Sequence, residues 1–155
     1  FSKYLILLIF IYCSFTDFLD GYLARKLNQT SLIGKLMDPI ADKLLTTCIL
    51  LILIHQEVIY GYMIIAVILI ISREIFISGL REFLAQTNIH LPVSNVAKLK
   101  TFFQFFSMGT ILFGNAFAFQ FVTEIGFIFL WIAAIFTIVS GFFYFIEGIK
   151  SFPNK

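Results

Sequence analysis

The sequence predicts an all-α integral membrane protein, and three observations carry that expectation. Its 155 residues are 60% hydrophobic and only 13% charged, with a mean hydropathy of +0.98; a soluble domain lies nearer half apolar and a quarter charged. Twenty-one phenylalanines among long Ile/Leu stretches leave too little polar surface to cover a soluble particle. The apolar residues gather into five runs, each close to the roughly 20 residues that cross a hydrocarbon core. Runs this long and closely spaced require helices rather than barrel strands, because a lipid-embedded segment must satisfy its own backbone.

In chain order the expected spans are residues 1–19, 36–54, 62–84, 101–119 and 125–149. The first is short and begins abruptly at Phe1, with neither Met nor a charged leader before it, so an N-terminal portion is expected to be missing. Arg25, Lys26 and Lys35 lie in the first connection, Lys98 and Lys100 near the third, and Lys150 and Lys155 at the tail. The second connection, HQEVIYG, and the fourth, QFVTE, contain no Lys or Arg. The positive-inside bias therefore puts the first and third connections and the C-terminus in the cytoplasm and Phe1 outside. Lys3 then snorkels to the outer surface, where Tyr60 and Tyr62 suit an interfacial belt. Cys13 and Cys48 sit within apolar runs and read as small buried hydrophobes rather than a disulfide framework. The net charge of +2, scattered among apolar spans, argues against a nucleic-acid partner.

The chemistry is concentrated. All four aspartates fall within one 28-residue stretch, TDFLDGYLARKLNQTSLIGKLMDPIADK. Asp17, Asp20, Gly21 and Ala24 share one face of a helix, and Gly34, Asp38 and Asp42 one face of the next. A short connection makes these helices antiparallel neighbours, so two carboxylate pairs can converge near the inner membrane surface. Carboxylates at that range repel one another and tolerate burial only with cations between them. Hard oxygen ligands select Mg²⁺, Mn²⁺ or Ca²⁺, and two such ions together are a device for displacement at phosphorus. The plainer reading, helix capping, needs one Asp rather than two paired faces.

Asp17, Asp20, Gly21, Ala24, Arg25, Gly34, Asp38 and Asp42 form the pattern D-x2-D-G-x2-A-R-x8-G-x3-D-x3-D without a gap. This resembles the signature of the CDP-alcohol phosphotransferases. The resemblance implies a six-helix membrane enzyme, homodimeric, that uses two divalent cations, Mg²⁺ or Mn²⁺, to pass a phosphatidyl group from a CDP-linked lipid to an alcohol. Residues 1–155 would then be a single domain lacking that family's first helix. The resemblance further implies that Asp17, Asp20 and Asp38 are metal ligands. Asp42 would be the base for the acceptor hydroxyl, also touching a metal. Gly21, Ala24 and Arg25, with Asp20, would lie against the CDP moiety, and Gly34 would give it room. SREIFISGLREFLA, VAKLKT and GKLMDPIADKLL are similar to the branch that uses glycerol 3-phosphate as acceptor and CDP-diacylglycerol as donor, in a bacterial inner membrane with the site facing the cytoplasm.

The basic residues agree with a phosphorylated acceptor. Arg73 sits mid-span, where a charge is costly and functional by default. Arg81 follows eight residues later, two turns on and on nearly the same face, and Lys98 starts the next helix at the same surface. Together these three could hold the phosphate of glycerol 3-phosphate. The competing reading of Arg73 is an ion pair with Glu74 or an Asp, and that of Lys98 and Lys100 is the positive-inside bias alone. His55 and His90 fall in connecting segments, where a metal role is not expected. Ser107, Gly109, Ser140 and Gly141 would permit close helix contacts. Other acceptors (inositol phosphate, serine, a second phospholipid) stay within the resemblance. A cation transporter using intramembrane Asp is a separate class, although such sites lie near the midplane on broken helices.

Overall fold

The five apolar runs fold as five helices: α1 (Lys3–Leu27), α2 (Leu32–His55), α3 (Met63–Gln86), α4 (Asn95–Phe117) and α5 (Gln120–Lys150), with no strand among the described residues. The structure, a computed structural model, describes residues 2–27, 32–86 and 95–150, apart from the side chains of 18, 20–25, 27, 32–39, 95 and 97. Among the described residues α3 and α5 are long and apolar enough to cross a membrane.

The helices extend further than the apolar runs that announced them. α1 continues to Leu27, past the polar residues after Leu19, and α5 begins at Gln120 rather than at Ile125. Hydropathy counts residues at hydrocarbon depth, whereas a helix continues for as long as its hydrogen bonds do. The expected fourth connection, QFVTE, is accordingly helical. The Phe119 carbonyl accepts from the Val122 and Thr123 amides at 3.1 and 3.2 Å, and Gln120 Nε2 donates to Glu124 at 3.1 Å.

Two helix ends share one cap. At the end of α2, Glu57 takes φ of 55° while the Val58 amide donates to the Leu53 carbonyl and the Glu57 amide to that of Ile54, both at 3.0 Å. At the end of α4, Ala118 takes φ of 57° and the Phe119 amide donates to the Gly114 carbonyl at 2.9 Å. Both are left-handed caps that satisfy terminal carbonyls and turn the chain sharply. His55 is the last residue of α2, where its expected connection begins.

Side-chain contacts fix the helix directions. Phe103 stacks on Phe136 and Phe106 meets Phe129, so α4 and α5 are antiparallel. Met63 pairs with Trp131 and Phe76 with Phe145, so α3 and α5 are parallel. Tyr4 meets Phe117 and Phe10 meets Phe105, which sets α1 against α4 in opposite directions. The C-terminal ends of α1, α3 and α5 thus share one end of the bundle with the N-terminal ends of α2 and α4.

The core contains Phe10 from α1, Leu50 and Leu53 from α2, Val67 and Ile70 from α3, Met108 and Ile111 from α4, and Leu130 from α5. Helix α5 shows its logic most clearly. Its buried stripe includes Gly126, Ala133, Ala134, Thr137, Ser140, Gly141 and Gly148, while Phe121, Ile128, Ile135 and Phe142 are exposed. This reverses the pattern of a soluble helix. In lipid, large side chains gain nothing by turning inward, and small ones allow backbones to approach. The small residues picked out in the sequence make such contacts: Ser107 Oγ donates to the Gly126 carbonyl at 2.8 Å, and a Cβ on Gly109 would lie 3.5 Å from Phe10.

Gly126 and Gly79 should therefore respond oppositely to alanine. A Cβ at Gly126 would fall 2.8 Å from Thr110 Oγ1 and 3.0 Å from the Ile111 backbone nitrogen, whereas nothing lies within 4 Å of one at Gly79. Gly126→Ala should lose about 1–3 kcal/mol through overpacking, and Gly79→Ala should gain roughly 0.5–1 kcal/mol through helix propensity. Thermal unfolding in detergent or nanodiscs would measure both; equal shifts would contradict the packing described.

Candidate functional site: a cationic pocket beside the aspartate helices

Arg73 enters the bundle two turns before Arg81 on α3, and α5 receives it. Gly141 has no side chain to obstruct it, since a Cβ there would lie 3.1 Å from Arg73 Cγ and 3.4 Å from Nε. Arg73 Nη2 donates to Ser140 Oγ at 2.9 Å, and Nη1 donates to Glu74 Oε1 at 3.1 Å. The same Glu74 oxygen accepts from Lys100 Nζ on α4. Glu74 is thus bonded to a cation of its own helix and to one of the next. The competing reading of Arg73, a pair with Glu74, is realised, and the pair lies on the wall of a cavity.

That cavity has a volume of about 670 Å³. Among the described residues, Arg73, Arg81, Lys98 and Lys100 line it with a single carboxylate, Glu74. Phe102, Phe105 and Phe106 supply an apolar wall, and Thr101 and Tyr144 complete the lining. The structure therefore brings together the three residues expected to hold an acceptor phosphate. Arg81 and Lys98 are exposed, whereas the Arg73 side chain is only 11% exposed. Four cations to one carboxylate give the lining a strong preference for an anion, and two arginines provide planar forks suited to phosphate.

Sequence reasoning undervalued two members of this site. Lys100 had the positive-inside bias as its ready explanation, yet it is 6% exposed and bonded to Glu74. Tyr144 drew no attention in a Phe-rich span. Its signal was its register: it follows Ser140 and Gly141 by one turn on the small-residue stripe, and it is 3% exposed.

The aspartate helices adjoin this pocket. Lys43, next to Asp42 on α2, donates to Ser78 Oγ on α3, one turn beyond Glu74. Asp17 lies exposed on α1 and Asp42 half-buried on α2, each engaged in interactions. The side chains of Asp20, Gly21, Ala24, Arg25, Gly34 and Asp38 lie outside the described residues, as does all of His90. The described residues alone contain no group of three or more His, Cys, Asp or Glu able to hold a metal ion. The donor set of the motif is nonetheless all carboxylate, which suits Mg²⁺ or Mn²⁺. A larger cavity of about 880 Å³ opens at the opposite end, among Glu57, Tyr60, Glu124 and Trp131, and contains no motif residue.

Comparison with known proteins identifies the family. The CDP-alcohol phosphatidyltransferase family matches residues 2–139. A Rickettsia typhi protein named CDP-diacylglycerol–glycerol-3-phosphate 3-phosphatidyltransferase is 45% identical over 139 residues, which are 89% of this chain and 76% of that protein. A Bacillus subtilis protein of the same name is 41% identical, across 89% of this chain and 70% of its own length. A Haemophilus influenzae protein, also so named, is 38% identical across 90% of this chain and 74% of its own. A gapless aspartate motif, a cationic pocket beside it and a family match across most of the helices lead to one conclusion: the chain belongs to the CDP-alcohol phosphatidyltransferase family.

Proposed function

We propose that this chain transfers the phosphatidyl group of CDP-diacylglycerol to sn-glycerol 3-phosphate, forming phosphatidylglycerophosphate and releasing CMP. The observation that carries the reading is the pocket in which Arg73, Arg81, Lys98 and Lys100 stand with Glu74, the one carboxylate among its described lining residues. Its charge suits an acceptor that itself bears a phosphate, and the relatives described above are named for this reaction. A permeating cation would be repelled by the same lining, which disfavours transport.

In this reading Arg81, Lys98 and Arg73 hold the phosphate of the acceptor and so aim its hydroxyl at the phosphorus that bears the diacylglycerol. Asp42 takes the hydroxyl proton as the new oxygen–phosphorus bond forms. The bond from that phosphorus to the CMP oxygen breaks, and CMP departs. Asp17, Asp20 and Asp38, with Asp42, would hold two divalent cations, Mg²⁺ or Mn²⁺. When bound, these supply charge stabilisation to the transferring group and the leaving phosphate. Asp20, Gly21, Ala24 and Arg25 would lie against CDP, and Gly34 would leave space for it. The protein would work as a homodimer in a bacterial inner membrane. The bundle end bearing Lys26, Lys98 and Lys150 would face the cytoplasm, in keeping with the positive-inside bias.

The direct test supplies membranes containing the enzyme with CDP-diacylglycerol and a panel of alcohols and measures CMP release. Release that depends on glycerol 3-phosphate is expected; preference for inositol phosphate or serine would reassign the acceptor.

Two sets of variants refine the roles. Asp17→Ala, Asp20→Ala and Asp38→Ala should each cut turnover by several orders of magnitude while the protein still inserts. Asp42→Asn should retain lipid nucleotide binding and lose about 10²–10⁴-fold in transfer, the usual contribution of a general base. Joint loss of nucleotide and metal binding in Asp42→Asn would make it chiefly a ligand. Arg81→Lys should raise the KM for glycerol 3-phosphate and spare that for CDP-diacylglycerol. Complete loss of a charge-assisted contact is worth roughly 1.5–3 kcal/mol, or about 10- to 150-fold, and a lysine should recover only part because it lacks the planar fork. A KM change confined to CDP-diacylglycerol would move Arg81 to the lipid diphosphate.

A further inference from the structure

We infer that Tyr144 of α5 is a positioning residue of the acceptor site, an aromatic ring that attracts both Arg73 and Arg81 and so keeps the two guanidinia together for one phosphate. The inference rests on the acceptor reading above and adds to it a residue that does not itself touch substrate.

The geometry carries it. Arg73 and Arg81 are eight residues apart, so along the helix axis their Cα atoms differ by about 12 Å, too far for both to meet one phosphate unless their side chains are drawn together. The Tyr144 ring is shared by both, its centroid 5.9 Å from Arg73 Cζ and 5.7 Å from Arg81 Cζ. Both distances are within the range in which a guanidinium is attracted to an aromatic face. The ring is 3% exposed and so held by the bundle, whereas Arg81 is exposed and needs an external guide. Two like charges would otherwise separate, and a π face is a partner that attracts both without neutralising either. Glu74 already occupies part of Arg73; a second carboxylate in place of Tyr144 would weaken the pocket for an anion.

The hydrogen-bond arithmetic fits. A guanidinium has five N–H donors. Arg73 gives one from Nη1 to Glu74 and one from Nη2 to Ser140, so each terminal nitrogen retains a second hydrogen for an anion. Ser140, Gly141 and Tyr144 form the receiving surface: a hydroxyl acceptor, a missing Cβ and a ring, all on the buried stripe of α5. Helix α5, which contains none of the aspartates, thereby reaches the acceptor through two arginines of another helix.

The test is steady-state kinetics on detergent-solubilised enzyme with each substrate varied, Arg81→Lys being run in parallel. Tyr144→Phe should keep the KM for glycerol 3-phosphate within about two-fold, because the ring is retained. Tyr144→Leu should raise it about ten-fold, equivalent to roughly 1.4 kcal/mol. The KM for CDP-diacylglycerol and kcat at saturating acceptor should hold. Should Tyr144→Leu fail to fold, phenylalanines of increasing fluorination at position 144 keep the ring's shape while withdrawing charge from its face. The KM should then climb with each fluorine. A flat fluorination series, or a rise in both KM values together with a fall in kcat and Tm, would overturn the inference in favour of simple packing. If Arg81→Lys leaves the acceptor KM unchanged, the acceptor reading itself falls, and this inference falls with it.

Discussion

A guanidinium inside an apolar helix bundle must be paired and hydrogen-bonded, and Arg73 is the charge around which this end of the molecule is arranged. Leaving such a group uncompensated costs several kcal/mol. Two helices partner its terminal nitrogens, α3 with Glu74 and α5 with Ser140 beside the open backbone of Gly141, while α4 joins them through Lys100, a second cation on the same carboxylate. The contacts that make Arg73 tolerable are therefore also those that hold α3, α4 and α5 together where the pocket opens.

Close packing of α4 on α5 makes this arrangement possible. Gly114 lies against the Thr123 backbone, where a Cβ would come within 2.7 Å of its nitrogen, and Gly126 lies against Ile111. With the hairpin drawn this close and closed by the left-handed cap at Ala118, the stripe of α5 reaches α3 with Ser140 and Gly141 in register with Arg73. Bulky residues excluded from that stripe go outward, and Phe121, Ile128, Ile135 and Phe142 present an apolar surface suited to lipid.

The two ends of the bundle diverge in charge. The pocket at one end is lined by Arg73, Arg81, Lys98 and Lys100, with Glu74 the one acid among its described residues. The cavity at the other has Glu57 and Glu124 with Lys3, ringed by Tyr60, Tyr62 and Trp131. The first can attract a soluble anion and lies beside the aspartate helices; the second has the aromatic rim of a membrane interface.

The sequence by itself determined the class, the number of helices and the family. Those properties follow from run lengths and from an eight-residue motif whose spacing survives any detail of packing. It also identified Arg73, Arg81 and Lys98 as companions, because helical period and span boundaries place them on one face near one surface. Helix ends at Leu27 and Gln120 were less legible, since hydropathy reports depth rather than hydrogen bonding. Only the tertiary structure decided that Glu74 joins Arg73 to Lys100, that Lys43 reaches Ser78, and that Tyr144 meets two arginines. Apart from Arg73 and its neighbour Glu74, these pairings unite residues 26 to 71 positions apart on different helices, and the rotation of each helix about its axis selects them. In a membrane protein that rotation is set by where small residues allow backbones to meet, a property of two faces together that one strand of text does not contain.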